Sequence, residues 1–316
     1  MTPHPSPSVG ELRRAGAVLR LMRAYCLLLA GSVVACTQTS GNRADLPAPA
    51  DGVLVAAAQM PSRMGQVAAN IARMERLARQ AASRGAHVVV FPEAAVTGYL
   101  SQDLQINWRV GDRPLSLEFR EGRSPRGVAR SVPGPTIRRF GRLARQLSVY
   151  LVVPFVERDP ATGLYHNTAC LVGPDGRLLL HYRKVNPWPH PEDSWATAGR
   201  QLAVARTPFG KLGLLICYDI HTEPQRLAAA GADMLLYPIA WVDDPASKWF
   251  EEDLPRIARQ NGVAIVGANW SVEHPRKNRG WHGAGQSRII DAGGRTLARA
   301  TGEVGEEILY AELRVR

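Results

Sequence analysis

The stretch Lys211-Leu-Gly-Leu-Leu-Ile-Cys217-Tyr-Asp-Ile-His-Thr-Glu223 decides how this chain is interpreted. Its apolar residues predict a buried strand over 212–216 that ends at Cys217, and Pro224 then opens a predicted helix. A cysteine at such a turn can have its thiolate stabilised by a helix N-terminus, and the following backbone N–H groups can form an oxyanion hole. The alternative is a buried structural cysteine.

Two other predicted strands end at a charged residue. Glu93 follows the apolar run 87–91, and Lys184 follows the run 178–182. Working residues in α/β folds often lie at strand ends. The lysine is unusual here because only four of the 39 basic residues are lysine. A lysine ammonium can transfer a proton, whereas an arginine cannot at neutral pH. Taken singly, each residue is more often a surface charge than a catalytic group.

The apolar pattern predicts one α/β domain over residues 52–316, with helices covering a mixed sheet. Helical spacing occurs over 67–81, 137–147 and 248–261. The arginine-rich stretch 108–132 has no clear period and is predicted to be a long surface loop near the site. Apolar runs predict strands at 53–58, 87–91, 150–153, 233–238 and 263–268, and hairpins join 167–172 to 178–182, 202–207 to 212–216 and 286–290 to 296–298.

Phe91-Pro-Glu93, Tyr182-Arg-Lys184 and Ile216-Cys-Tyr-Asp219, in this order and spacing, resemble the motifs of the nitrilase superfamily of carbon–nitrogen hydrolases. The resemblance covers about residues 53–312. It implies an α/β fold built as a four-layer α-β-β-α sandwich with mixed sheets. It also implies a homodimer or a larger homo-oligomer.

The same resemblance implies the catalytic residues. Glu93, Lys184 and Cys217 match the family's Glu–Lys–Cys triad, and Glu192 matches its second glutamate. Glu93 would be the general base, Cys217 the nucleophile, and Lys184 an oxyanion donor together with the backbone N–H of Tyr218.

Three aromatic residues, Tyr99, Trp188 and Trp241, are candidate substrate contacts. No organic cofactor is expected, and no CxxC or clustered His/Cys pattern indicates a metal site.

The expected reaction is hydrolysis of an amide or an N-carbamoyl amide through a thioester. Nitrile hydrolases of the family usually carry Trp-Glu after the nucleophile, whereas this chain has Tyr218-Asp219, the amidase pattern. A nitrile hydrolase, an acyltransferase and an envelope-anchored binding protein without turnover remain alternatives. One departure concerns Glu223-Pro224, which is inverted relative to the common family order and puts the local helix start in doubt.

The N-terminal region resembles a bacterial lipoprotein signal. Arginines precede the apolar run 24–35, which is too short to span a bilayer as a helix. Val33-Val-Ala-Cys36 resembles a lipobox, so Cys36 is a candidate for lipidation. We therefore expect a signal peptide over 1–35, a flexible tether over 36–51 and an exported, periplasm-facing protein anchored only by its lipid.

Composition excludes several protein classes. With 45% hydrophobic and 21% charged residues, the chain is neither a polytopic membrane protein nor disordered throughout. The net charge of +11 is not arranged as a basic stripe with aromatics, so a nucleic-acid partner is not expected. Binding of an acidic polymer through the arginine-rich region 109–145 is a weaker alternative. Cys170, inside a predicted strand, is interpreted as structural, although its distance from Cys217 is open.

Overall fold

The computed structural model describes residues 52–63, 65–99, 109–110, 113–114, 125–189, 192–241, 248–271, 285–302 and 304–314. The predicted signal peptide, Cys36 and the predicted tether lie outside these residues, as does most of the arginine-rich stretch 108–132. The described parts of that stretch form a short strand pair, β3 (Arg109–Val110) with β4 (Arg113–Pro114), and a single helical turn, α2 (Pro125–Val128).

The first sheet has six strands in the order β14-β1-β2-β5-β6-β7. Its centre is parallel, since β1 pairs with β2 and β2 with β5, and its outer pairs are antiparallel. The strands are β1 (Val53–Gln59), β2 (Val88–Val90), β5 (Tyr150–Arg158), β6 (Tyr165–Val172), β7 (Leu178–Arg183) and β14 (Glu307–Leu313).

The second sheet repeats this plan in the order β13-β12-β11-β10-β9-β8. The pairs β9–β10 and β10–β11 are parallel, and the outer pairs are antiparallel. The strands are β8 (Val204–Thr207), β9 (Gly210–Leu214), β10 (Met234–Ile239), β11 (Ala264–Asn269), β12 (Arg288–Ile290) and β13 (Thr296–Arg299).

The alternation of buried side chains along the strands creates the layers. In β1, Val53, Val55 and Ala57 face the second sheet, whereas Ala56 and Ala58 face the helices on the outer side. Helices α1 (Val67–Ser83) and α3 (Pro135–Leu147) cover that outer side, and α4 (Pro224–Ala229) and α5 (Leu254–Asn261) pack on the second sheet. The predicted four-layer α-β-β-α sandwich with mixed sheets is confirmed.

Most predicted elements are present, with three differences. Strand β5, predicted to end at residue 153, continues to Arg158. Pro154 does not interrupt it, because proline pairs with Ala169 there without needing a backbone N–H of its own. Strand β14 was not predicted. The predicted helix 248–261 is a π-helical turn (Trp249–Asp253) followed by α5. Among the described residues, no helix has the length and hydrophobicity needed to cross a membrane.

The two described cysteines lie on opposite sides of the first sheet, and Cys217 belongs to a turn after a strand of the second sheet. Cys170 is fully buried on β6 in the layer between the sheet and helices α1 and α3, whereas Cys217 is half-buried and packs toward the layer between the sheets. Both thiols are free. A disulfide between them would require the sheet to open, so Cys170 keeps its structural role.

Helix α3 approaches the β6–β7 turn closely at Gly141. A Cβ at this position would lie 2.5 Å from the carbonyl oxygen of Gly176. Alanine is normally favoured over glycine in a helix by about 1 kcal/mol. Here we expect Gly141→Ala to lower the free energy of unfolding by about 1–3 kcal/mol, because helix and turn must separate.

Chemical denaturation measures this change directly. The matched control is Gly127→Ala in α2, where an added Cβ meets no atom within 4 Å. A stabilised Gly141→Ala protein would show that the close approach does not constrain this layer.

Candidate active site

Three strand ends bring the predicted triad to one place between the sheets. Glu93 follows β2, Lys184 follows β7, and Cys217 follows β9. The Lys184 ammonium donates to Oε1 of Glu93 at 2.8 Å and to Oε2 of Glu192 at 2.6 Å. Lys184, Glu93 and Glu192 are at most 1% exposed. One cation therefore lies between two carboxylates, inside the protein.

Glu192 is held by four hydrogen bonds. Its Oε2 accepts from Lys184, from the backbone N–H of Trp188 at 2.9 Å and from the hydroxyl of Tyr99 at 3.3 Å. Its Oε1 accepts from the side-chain amide of Asn167 at 2.6 Å. With both oxygens engaged, Glu192 has little capacity left for proton transfer, and its hydrogen bond holds the Lys184 ammonium in place.

Glu93 differs from Glu192 in one respect. Its Oε1 accepts from Lys184 and from Asn167 at 2.7 Å, but its Oε2 is buried without a hydrogen-bond partner among the described residues. Its backbone N–H donates to the carbonyl of Ile239 in the second sheet, which fixes the carboxylate between the sheets. A buried acceptor that is left open is costly unless it has a chemical use. Glu93 therefore has an oxygen available to accept a proton.

Burial and neighbouring charges set the pKa values of Glu93 and Lys184. Burial raises the pKa of Glu93 to about 7, although Lys184 opposes this shift, and Glu192 adds to it. Burial alone would lower the pKa of Lys184, but the carboxylates of Glu192 and Glu93 outweigh it and hold the pKa well above its usual range. Glu93 can thus gain and lose a proton near neutral pH while Lys184 stays charged.

Cys217 occupies a strained turn. Its backbone φ is +43°, in the left-handed region that non-glycine residues rarely adopt, and it begins a 3₁₀ helix over Cys217–His221. The hydroxyl of Tyr237 donates to its carbonyl at 3.0 Å. Burial and the charge of Glu93 raise the pKa of the Cys217 thiol well above its usual value. A thiol with a raised pKa needs a base before it can act as a nucleophile, which agrees with the general-base role predicted for Glu93.

Asp219 ties the nucleophile turn to the segment that carries Lys184. Its carboxylate accepts from the hydroxyl of Tyr182 at 2.7 Å and from the backbone N–H groups of Ile216 at 2.9 Å and Asn186 at 2.8 Å. Burial raises the pKa of Asp219 to about 6. The last residue of the sequence motif thus orients the turn that presents Cys217.

The inverted pair Glu223-Pro224 is accommodated in the structure. Pro224 is the first residue of α4, a position where its fixed φ and missing N–H suit a helix. The side chain of Glu223 accepts from the amide of Asn186 at 3.0 Å and from Arg226 at 2.8 Å. The helix therefore starts at Pro224, the second residue of the inverted pair.

An aromatic cluster flanks the nucleophile turn. Trp241 follows Ala240, whose backbone N–H bonds to the Cys217 thiol, and it stacks on Trp249 with ring centroids 4.8 Å apart. His221 contacts Trp249 at 4.9 Å and Tyr218 at the same distance. Two predicted contacts, Tyr218 and Trp241, thus lie beside Cys217, whereas Tyr99 and Trp188 support Glu192.

Some site residues were not found from sequence. Asn167, which bonds both glutamates, stands in an apolar strand where a polar residue on the inward face is the only signal. No sequence motif indicated a role for His221 or Trp249 at the site. Among the described residues, no group of His, Cys, Asp and Glu is arranged to hold a metal ion.

Removing the side-chain amide of Asn167 tests how the protonation of Glu93 controls the reactivity of Cys217. Hydrogen bonds to the charged form favour it, so we expect Asn167→Ala to raise the pKa of Glu93 from about 7 by about one unit. The protonated acid cannot accept the thiol proton, so alkylation of Cys217 should slow below this pKa. The measurement is the pH dependence of Cys217 alkylation by iodoacetamide, followed on its peptide by mass spectrometry.

Asn261→Ala, at the end of α5, is the matched control. An inflection at the same pH in the wild type, the control and Asn167→Ala would contradict the assigned role of Asn167.

Comparisons with known proteins agree with this geometry. A family model described as carbon-nitrogen hydrolase matches residues 54–316. The bifunctional nitrilase/nitrile hydratase NIT4A of Lupinus angustifolius is 32% identical over 266 residues, covering 78% of this chain and 73% of that protein. The omega-amidase NIT2 of Danio rerio is 27% identical over 254 residues, covering 77% and 82%.

Solved structures share the fold. An amidase from Nesterenkonia sp. superposes with a TM-score of 0.67 at 23% identity, covering 86% of this chain and 94% of that one. Saccharomyces cerevisiae Nit3, described as a member of branch 10 of the nitrilase superfamily, gives a TM-score of 0.65 at 24% identity, covering 86% and 93%. The motifs, the fold and the family match lead to one conclusion: the chain belongs to the carbon–nitrogen hydrolases of the nitrilase superfamily.

Proposed function

We propose that this protein hydrolyses the carbon–nitrogen bond of a small amide or N-carbamoyl amide through a thioester on Cys217, releasing ammonia or an amine. The observation that carries the proposal is the division of labour between the two buried glutamates. Glu192 is saturated with hydrogen bonds, whereas Glu93 keeps Oε2 open and has a pKa of about 7. A general acid–base group is most effective when its pKa lies near the working pH.

In the first half-reaction, Glu93 accepts the Cys217 thiol proton and the sulfur attacks the carbonyl carbon. The resulting oxyanion needs donors that are already in place. Of the three N–H donors of Lys184, two are used by Glu93 and Glu192, which leaves one for the oxyanion. The backbone N–H of Tyr218 would be the second donor. Glu93 then returns its proton to the departing nitrogen.

In the second half-reaction, Glu93 takes a proton from water, which attacks the thioester. The acid product leaves, and the Cys217 thiol is restored with the proton that Glu93 held. Each proton taken by Glu93 is thus returned within one half-reaction. The fixed position of Lys184 serves both tetrahedral intermediates.

The choice of an amide over a nitrile rests on the residues after the nucleophile. Tyr218-Asp219 follows the amidase pattern, and the similar fold of the Nesterenkonia amidase and the similarity to the Danio rerio omega-amidase are consistent with it. The similarity to the Lupinus angustifolius nitrilase favours nitrile hydrolysis as the second candidate. Both reactions use the same thiol, so substrate profiling must separate them.

We further propose that the protein is exported, anchored by a lipid on Cys36 and facing the periplasm. The support is the lipobox-like Val33-Val-Ala-Cys36 after a basic and apolar leader. A homodimer or larger homo-oligomer, implied by the family resemblance, belongs to the same proposal.

Ammonia release tests the reaction. We expect the full chain to release ammonia from one class among short amides, ω-amides, N-carbamoyl amines and nitriles. An acyl mass should appear on Cys217, because the thioester is an obligatory intermediate. Cys217→Ala should lower turnover by at least about 10³-fold and carry no adduct.

Cys170→Ala is the matched control, since the Cys170 thiol lies on the outer side of the first sheet, away from Cys217. Turnover of nitriles alone would favour the second candidate. Binding of amides without an adduct, from a folded protein with a free Cys217 thiol, would replace the enzyme by a binding protein.

A further inference from the structure

The outer helical layer formed by α1 and α3 carries an unusual charge. Over these two helices the chain has a single acidic residue, Glu75, and no lysine. The basic residues are seven arginines: Arg73, Arg76, Arg79, Arg138, Arg139, Arg142 and Arg145. We call this surface the basic layer.

The arginines of the basic layer share one face. The apolar sides of both helices are buried against the first sheet, so the remaining positions point outward. Arg139 of α3 bonds to Glu75 of α1 at 2.6 Å, which holds the helices side by side. Arg138 and Arg142 are exposed, and neither has an ion-pair partner among the described residues.

A preference for arginine across the whole chain does not explain this charge, because the other helical layer lacks it. Segments 224–229 and 248–261 contain four cations and three carboxylates, and two of these carboxylates pair with neighbouring cations. In the first layer, Arg73 and Arg76 pair with Glu306 and Arg139 pairs with Glu75. Among the described residues this leaves four cations of the first layer without an ion-pair partner, Arg79, Arg138, Arg142 and Arg145, against Arg259 alone in the second. Positive charge is therefore concentrated on one outer face of the sandwich.

The basic layer lies beside the beginning of β1 and away from the active site. Arg84, directly after α1, lies over the ring of Tyr310 at 5.1 Å, and nearby the N–H of His87 donates to Leu54 at the beginning of β1. The chain thus enters the domain beside the basic layer. Glu93 lies at the other end of β2, on the side of the first sheet that faces the second sheet. A partner on the basic layer would leave the active site open.

We propose that the basic layer is a docking surface for an anionic phospholipid bilayer. A lipid chain together with a basic patch is the combination that gives stable membrane attachment, and the predicted tether of 16 residues, 36–51, precedes β1 directly. Arginines near a charged bilayer are attracted within a Debye length. The docking surface involves none of the catalytic residues, so it stands or fails separately from the proposed reaction.

Vesicle sedimentation with the full, unlipidated chain tests the proposal. We expect binding to vesicles of phosphatidylglycerol and phosphatidylcholine, weak binding to phosphatidylcholine alone, and release when NaCl rises from about 0.05 to 0.5 M. Arg138→Glu/Arg142→Glu should weaken binding to the anionic vesicles at least about tenfold. The apolar run 24–35 is present in every protein compared, so it cannot cause the difference.

The matched control is Arg256→Glu/Arg259→Glu, which makes the same charge change on the opposite helical layer. Equal binding by both double variants would overturn the proposal, because net charge alone would then set affinity. So would a wild-type preference for a soluble DNA duplex over vesicles at equal anionic charge, which would indicate an acidic polymer as the partner. A melting temperature near that of the wild type shows that each variant is folded.

Discussion

The ammonium of Lys184 between the carboxylates of Glu93 and Glu192 is the interaction on which the site depends. All three groups are buried, and removing one partner of a buried ion pair typically costs about 3–5 kcal/mol because it leaves an uncompensated charge. The charge of Lys184 lets two buried carboxylates lie close together. Burial raises the pKa of Glu93 even though Lys184 opposes the shift, whereas the two carboxylates raise the pKa of Lys184 against the effect of burial.

Both sheets of the sandwich contribute residues to this cluster. Glu93 and Lys184 follow strands of the first sheet, Cys217 follows a strand of the second, and the Glu93–Ile239 hydrogen bond joins the two. Two residues in the turns after these strands, Ala94 and Cys217, adopt strained backbone conformations, with φ angles of +52° and +43°. Asp219 then connects the Cys217 turn to the Lys184 segment, so that the relative positions of Glu93, Lys184 and Cys217 are set by both sheets together.

Glu93, Lys184 and Cys217 could be predicted from the sequence because each follows an apolar run, whereas the four-layer arrangement and Glu192 came from the resemblance to the nitrilase superfamily. The resemblance already gave Glu93 the general-base role, but the sequence could not show its structural basis, which lies in which oxygen atoms receive hydrogen bonds from Asn167, Tyr99 and Trp188. Strand β14 and the π-helical turn at Trp249 were missed because pairing with β1 and packing on the aromatic cluster, not local pattern, specify them. The sequence showed part of the basic layer only as the arginine-rich region 109–145, and the difference in charge between the two helical layers became visible only in the fold.

The most direct test of this account is the pH dependence of unfolding in Lys184→Met. Without the ammonium, the pKa of Glu93, already about 7 in the folded protein, should rise further above its unfolded value, so the folded state binds more protons and stability falls as pH rises. We predict that Lys184→Met loses about 3–5 kcal/mol relative to wild type at pH 8, much less at pH 5, and is rescued at pH 8 by adding Glu93→Gln. A Lys184→Met protein as stable as wild type at pH 8 would contradict the claim that this cation holds the site together.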